Sequence, residues 1–225
     1  MRNVIKGPNV TWIDIENPTR EDVLYLENTF GILPLTTKSI TTPEVRSRVE
    51  LYPNYLYLVL HYPIHNKQSR ETRSRELDII VTKDTIITVR LQSIVTLKAL
   101  YNSLNLYEEE RAKYMNQGTG YLLFSIIEDL WESSMTKLTR INKGLGDIEK
   151  QIFEGREGPM VEEISLTKAD IINFWKIVNP QTDTMAELRK EGVEFFGSEM
   201  RPYFAHLLTT CHYIQHDLST FKETI

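Results

Sequence analysis

The residue types best suited to chemistry crowd one stretch, PYFAHLLTTCHYIQHD, running from Pro202 to Asp217. It holds three of the five histidines and the only cysteine. Imidazole, thiolate and carboxylate are the ligand types of zinc and its neighbours. His212 and His216 are four apart, so on a helix they project from neighbouring turns of one face. Such a pair is a weak metal site for Zn2+ or Ni2+ that still needs further ligands, and Asp217 falls on another face. Cys211 belongs to an apolar stripe with Phe204, Leu207, Ile214, Leu218, Phe221 and Ile225. Its position predicts a small buried apolar residue rather than a ligand. His206 lies off that stripe, like His212 and His216, and a solvated or interface-lining face is the default for all three.

No other stretch carries a catalytic constellation. The chain has no phosphate-binding glycine loop, no G-x-S-x-G, no H-E-x-x-H and no C-x-x-C. His61 and His65 flank Pro63 at the end of an apolar run and are expected at a strand edge or in a loop. Glu108–Glu110 reads as a solvated acid run at a helix end. RETRSRE, residues 70–76, reads as a charged hairpin loop. No enzyme activity is expected.

Composition sets the outer bounds. The chain has 225 residues, 41% of them hydrophobic, and a net charge of −5 with both signs interspersed. That supports one or two packed units and gives no general attraction to nucleic acid. One cysteine allows no internal disulfide. No signal-peptide core opens the chain, and no apolar run is long enough to span a bilayer.

The elements that must position these residues fall into two textures. Up to about residue 115 the pattern is mixed. VTWIDI alternates like a half-buried strand. A helix follows, with Thr19 as N-cap, Glu21 and Asp22 in its first turn, and Gly31 at its end. LTTKSIT is a short helix stopped by Pro43. Two β-rich runs flank the turn Tyr52-Pro53-Asn54, and two more meet at Lys83-Asp84. About five strands are expected between Val10 and Arg90, followed by the helix IVTLKALYNSLNLYEEE. Residues 116–225 read as helix alone. One seam runs from Phe124 through Trp131, Leu138 and Leu145 to Ile152 in three- and four-residue steps. EGREGP, residues 154–159, breaks it. A second seam, Ile164 to Leu188, contains Pro180, which should kink or split it, and EGVEFFGSEM reads as a connector. The third is the Cys211 stripe, which reaches Ile225 without a stop signal, so the natural protein is expected to continue. The predicted fold class is α+β, an α/β/α layer with a mixed sheet followed by three long antiparallel helices. The division falls at 1–115 and 116–225.

In this order the pieces resemble the cytoplasmic domain of the CorA family of divalent-cation transporters. The resemblance is carried by TWIDIENPTREDVLYLENTFGILPLTTKSI, RSRVELYPNYLYLVLHYP and ELDIIVTKDTIITVR. It continues through GYLLFSIIEDLWESSMTKLTRINKGLGDIEKQIF, ADIINFWKIVNPQTDTMAEL and RPYFAHLLTTCHYIQHDLSTFKE. It covers nearly the whole chain, with the family's extra N-terminal strands expected to be shortened. The family's Gly-Met-Asn signature and its two transmembrane helices are absent from these residues, as in a soluble piece of a longer transporter. The last helix then corresponds to the start of the family's stalk helix.

The resemblance implies a homopentamer anchored in the cell membrane, with this region on the cytoplasmic side. In magnesium-sensing members Mg2+ bridges acids after the Pro-Leu of the short helix to an acid near the start of the stalk on a neighbouring subunit, and holds the closed state. Aligned through FGILPLTTKSI, the acid pair falls on Lys38 and Ser39, and the partner acid on His206. Glu128 matches a secondary acidic position and keeps its charge. Lys38 would repel Mg2+, and neutral imidazole suits softer metals. The expected function is the regulatory domain of a magnesium transporter, with cobalt as a further cargo, whose Mg2+ sensor is degenerate. Zinc-transporting (ZntB-type) relatives also lack the acidic sensor and give the alternative, with Zn2+ as the ion. A stand-alone soluble protein using its helices as a coiled-coil partner surface is the reading from another class.

Overall fold

A computed structural model of the protein describes residues 2–66, 68, 70–155 and 157–225, without the side chains of Glu157 and Pro159. Six strands form one sheet: β1 (Arg2–Lys6), β2 (Thr11–Glu16), β3 (Arg48–Leu51), β4 (Leu56–Asn66), β5 (Glu71–Val81) and β6 (Thr85–Arg90). Their spatial order is β1-β2-β6-β5-β4-β3. Among the described residues only the β2–β6 pair is parallel, Thr11 facing Thr85 and Glu16 facing Arg90. The sheet is therefore mixed, as expected.

The five strands expected between Val10 and Arg90 are all present, and β1 is an addition. Of its five residues only Ile5 is buried, so this edge strand has almost no apolar pattern to betray it. The segment expected as a charged hairpin loop, residues 70–76, is instead largely the first half of β5, paired in register from Glu71↔Asn66 to Glu76↔His61. Its charges point out of a ribbon that projects beyond the main sheet. Only Thr72 among its first four residues is buried.

β4 and β5 carry runs of apolar residues because helices cover both faces of the sheet. On one face Ile13, Tyr57, Val59, Ile80 and Val89 pack with Leu26 of the first helix, Ile32 of the link that follows it and Ile40 at the end of the second. These are α1 (Arg20–Phe30) and α2 (Pro34–Ser39). Thr19 caps α1 in a reciprocal box: its hydroxyl accepts from the Asp22 N–H at 3.3 Å, and its own N–H donates to the Asp22 carboxylate at 3.0 Å. Gly31 ends α1 in the left-handed conformation, φ 64°.

On the opposite face Trp12, Leu58, Leu60, Leu77 and Ile79 share one apolar core with the remaining helices. These are α3 (Val95–Leu106), α4 (Glu108–Met115), α5 (Thr119–Phe153), α6 (Glu157–Val178), α7 (Gln181–Phe196) and α8 (Arg201–Thr224). The acid run 108–110 opens α4 on its exposed side rather than ending α3, because Tyr107 is extended and interrupts the helix. Asn179 and Pro180 split the second seam into α6 and α7, so the long-helix section has four helices. The break at 154–159 is narrower than expected. α5 closes at Glu154, Gly155 takes φ 79°, α6 starts at Glu157, and Arg156 lies outside the described residues. The expected connector EGVEFFGSEM is mostly the last turns of α7, leaving Gly197 and the 3-10 turn Ser198–Met200 to lead into α8.

α7 and α8 approach closely at Gly192. A Cβ there would lie 2.6 Å from Cε2 of Phe204, which is fully buried on α8. Gly192→Val is therefore expected to destabilise the fold by about 1–3 kcal/mol through overpacking. Urea unfolding midpoints would check this, and an unchanged midpoint would refute the close approach.

Candidate metal-sensing face

The first turns of α8 lie against α5, because Phe204, Leu207 and Cys211 pack into the core that Phe124, Ile127 and Trp131 also line. That packing brings His206 and Glu128 together. His206 Nε2 lies 3.3 Å from Glu128 Oε1, with the imidazole more than half exposed and the carboxylate one-third exposed. The His206 ring also meets Phe124 at 6.1 Å between centroids. Burial raises the Glu128 pKa, His206 pulls it down in part, and Glu132 adds a like-charge push upward. Its neighbour Asp129 is pushed up to about 6 by burial and by the charges of Glu132 and Glu128. This is a local concentration of acids, with the Lys113 charge offsetting part of the rise at Asp129.

Lys38 and Ser39 sit on α2, across the sheet from α5 and α8. One chain therefore cannot close a site from all four positions. Lys38 is exposed, and its backbone carbonyl accepts from the Thr41 and Thr42 hydroxyls at 2.8 and 3.0 Å. The Ser39 hydroxyl accepts from the Arg48 guanidinium at 3.1 Å. A cation at this place would meet an ammonium, and a hydroxyl already engaged by a guanidinium.

His212 and His216 are both exposed on α8. Among the described residues no group of three or more His, Cys, Asp or Glu side chains is placed to hold a metal ion. Cys211 is fully buried, and burial pushes its thiol up to about 12, so it is a packing residue rather than a nucleophile. The donor set does not fit a Mg2+ cage, which needs several oxygen ligands.

His61 and His65 lie on β4, in the ribbon where that strand pairs with β5 alone, so the edge expected for them is the one they occupy. His61 is locked in place: its Nδ1 pairs with the Ser47 hydroxyl at 2.8 Å and its Nε2 lies 3.0 Å from the Glu44 carbonyl. His65 Nδ1 lies 3.4 Å from Asp170 on α6. Sequence spacing missed these two sites, because each depends on partners supplied by other elements of the fold.

A mixed sheet covered on both faces, with long helices continuing from one of them, is the architecture of the soluble part of a class of metal-ion transporters. Residues 8–225 match the family model described as CorA-like Mg2+ transporter protein, and the chain belongs to that family. It is 24% identical over 222 residues to the cobalt/magnesium transport protein CorA of Thermotoga maritima, covering 96% of this chain and 61% of that protein. It is 21% identical over 188 residues to the magnesium transporter ALR1 of Saccharomyces cerevisiae, covering 82% of this chain and 21% of that protein. The chain thus spans under two-thirds of the length of these relatives. Its fold matches the soluble domain of CorA from Methanocaldococcus jannaschii with a TM-score of 0.78 at 19% identity, over 96% of this chain and 84% of that one. It also matches the ZntB cytoplasmic domain from Vibrio parahaemolyticus with a TM-score of 0.77 at 16% identity, over 98% and 84%. Among the described residues no helix is long and apolar enough to cross a membrane.

Proposed function

We propose that this chain is the cytoplasmic regulatory domain of a homopentameric membrane transporter that moves divalent cations, Mg2+ first and Co2+ with it. The observation carrying this reading is the family match, which extends over nearly the whole chain, residues 8–225. Residues 1–115 then serve as the outer sheet section, and 116–225 as the helices that lead to the membrane. The complete protein reconstituted in liposomes is expected to take up Mg2+, read with an enclosed magnesium-sensitive dye. Failure to move Mg2+ or Co2+ would overturn the reading. His206, and the likeness to the ZntB domain, favour a second reading in which Zn2+ is the cargo; uptake of Zn2+ alone would select it.

We further propose that regulation does not use the family's Mg2+ sensor. The supporting observations are the exposed ammonium of Lys38, the Ser39 hydroxyl engaged by Arg48, and the imidazole of His206 paired with Glu128. Isothermal titration of the chain with Mg2+ is expected to show no saturable millimolar site that depends on these side chains. Saturable binding that disappears in Glu128→Gln or His206→Ala would refute this.

A further inference from the structure

The β4–β5 ribbon leans on α5 and α6, and the three elements enclose a cavity of about 270 Å3. Its walls are His65, Thr72, Lys137, Arg140, Ile141 and Asp170. A second hollow of about 210 Å3 shares His65, Arg140, Ile141 and Asp170 with it. Lys137 and Glu128 are nine residues apart on α5, about 14 Å along the helix, so this place is separate from the His206 face.

The carboxylate of the cavity is fully used and its basic groups are not. Asp170 is 8% exposed; one oxygen accepts from the Thr72 N–H and the other faces His65 Nδ1 at 3.4 Å. Lys137 donates to the Pro63 carbonyl, which occupies one of the three N–H bonds of its ammonium. Among the described residues Arg140 has no hydrogen-bond or ion-pair partner, and its side chain is on the exposed side of the cavity. The nearby Arg70 and Glu163 neutralise each other. Lys137 and Arg140 thus set two basic groups against the single carboxylate of Asp170. Burial lowers the Lys137 pKa to about 8, the Arg140 charge adds to the fall, and Asp170 offsets it only in part. The partly desolvated ammonium of Lys137 keeps spare donors, and the exposed guanidinium of Arg140 stands beside it with its own donors free for an anion.

We propose that this cavity binds a phosphate group, free or on a small soluble molecule. The forked guanidinium of Arg140 and the ammonium of Lys137 hold its oxygens, and Ile141 forms an apolar wall beside them. The volume lies just under that of typical sites for drug-sized ligands, which suits a phosphate or short phosphomonoester. The occupant would tie the ribbon to the α5–α6 pair and so stiffen the base from which the long helices extend.

Isothermal titration of the chain with inorganic phosphate and with methyl phosphate, in chloride buffers of matched ionic strength, tests the proposal. Saturable binding of millimolar affinity or tighter is expected, weakened about tenfold or more in Arg140→Gln and in Lys137→Met, as the loss of a charge-assisted bond predicts. Arg140→Gln alters an exposed side chain and should keep the wild-type melting midpoint, so it decides the matter even if Lys137→Met folds poorly. Phosphate heats no larger than those of chloride, or affinities equal to wild type in Arg140→Gln, would overturn the site.

Discussion

Asp14→Ala is expected to destabilise the protein by about 3–5 kcal/mol, the cost of leaving a buried charge without its main partner. Asp14 on β2 stands opposite Thr88 on β6 and pairs diagonally with Arg90, and each of the two charged residues is 2% exposed. Arg90 Nη1 donates to Asp14 Oδ1, and the Thr88 hydroxyl donates to the same oxygen at 2.8 Å. Thr88 in turn accepts from the Trp12 indole N–H at 2.9 Å, so the carboxylate anchors a chain of three donors. Removing it leaves Arg90 with Glu16, which lies 3.3 Å away and is 31% exposed, too solvated to replace a buried partner. The Arg90 Nε already lacks a described partner. The double substitution Asp14→Leu with Arg90→Met removes both charges and should recover most of the loss, since an apolar pair of similar volume is often neutral or better there. Urea unfolding of the two variants separates these cases. A loss below about 1 kcal/mol in Asp14→Ala would mean that water reaches Arg90.

Sequence reasoning read best where a residue's environment depends on near neighbours. The third seam is an instance: Phe204, Leu207, Cys211, Ile214 and Leu218 are all buried in α8, because helical periodicity alone selects that face. The Thr19 cap, the Gly31 terminator and the split at Pro180 are equally local, since each is set by the backbone preferences of one or two residues. Periodicity failed where the fold overrides it. The charged first half of β5 has loop-like composition, and only its pairing with β4 and the Thr72 contact to Asp170 make it a strand. Site geometry was the least legible part. No pattern in α5 announces that Lys137 reaches the carbonyl of Pro63, 74 residues earlier in the chain. Nor does spacing alone place Glu128 beside His206. The family resemblance singled out both positions, and the packing of α8 on α5 supplies their distance.

Stability is expected to fall as pH rises from about 4 to about 8, through Asp78, and Asp78→Asn should remove that part of the dependence. Asp78 is 2% exposed in the middle of β5. Burial is the main reason its carboxyl is pushed up to about 8; the 2.6 Å hydrogen bond from the Tyr57 hydroxyl opposes the rise, and the charge of Glu76 adds to it. An unfolded aspartate ionises near pH 4. Between these values the folded chain holds a proton that the unfolded chain has released, so the stability is complete below the unfolded pKa and is lost as pH rises through the folded one. The slope from one such group cannot exceed about 1.4 kcal/mol per pH unit. Glu76, also raised by burial, contributes in the same direction. Asparagine keeps an amide donor for Glu76 and an acceptor for Tyr57 without the ionisation. Urea unfolding at pH 5, 7 and 9 should show the variant gaining on the wild type at each step. Parallel pH profiles would show that Asp78 is ionised in the fold. The consequence reaches beyond stability: Arg48 lies over the Tyr57 ring at 5.5 Å and holds the Ser39 hydroxyl on α2. The Asp78 proton thus sits three contacts from the Ser39 hydroxyl, and a carboxylate formed at Asp78 would draw on the same guanidinium that holds α2.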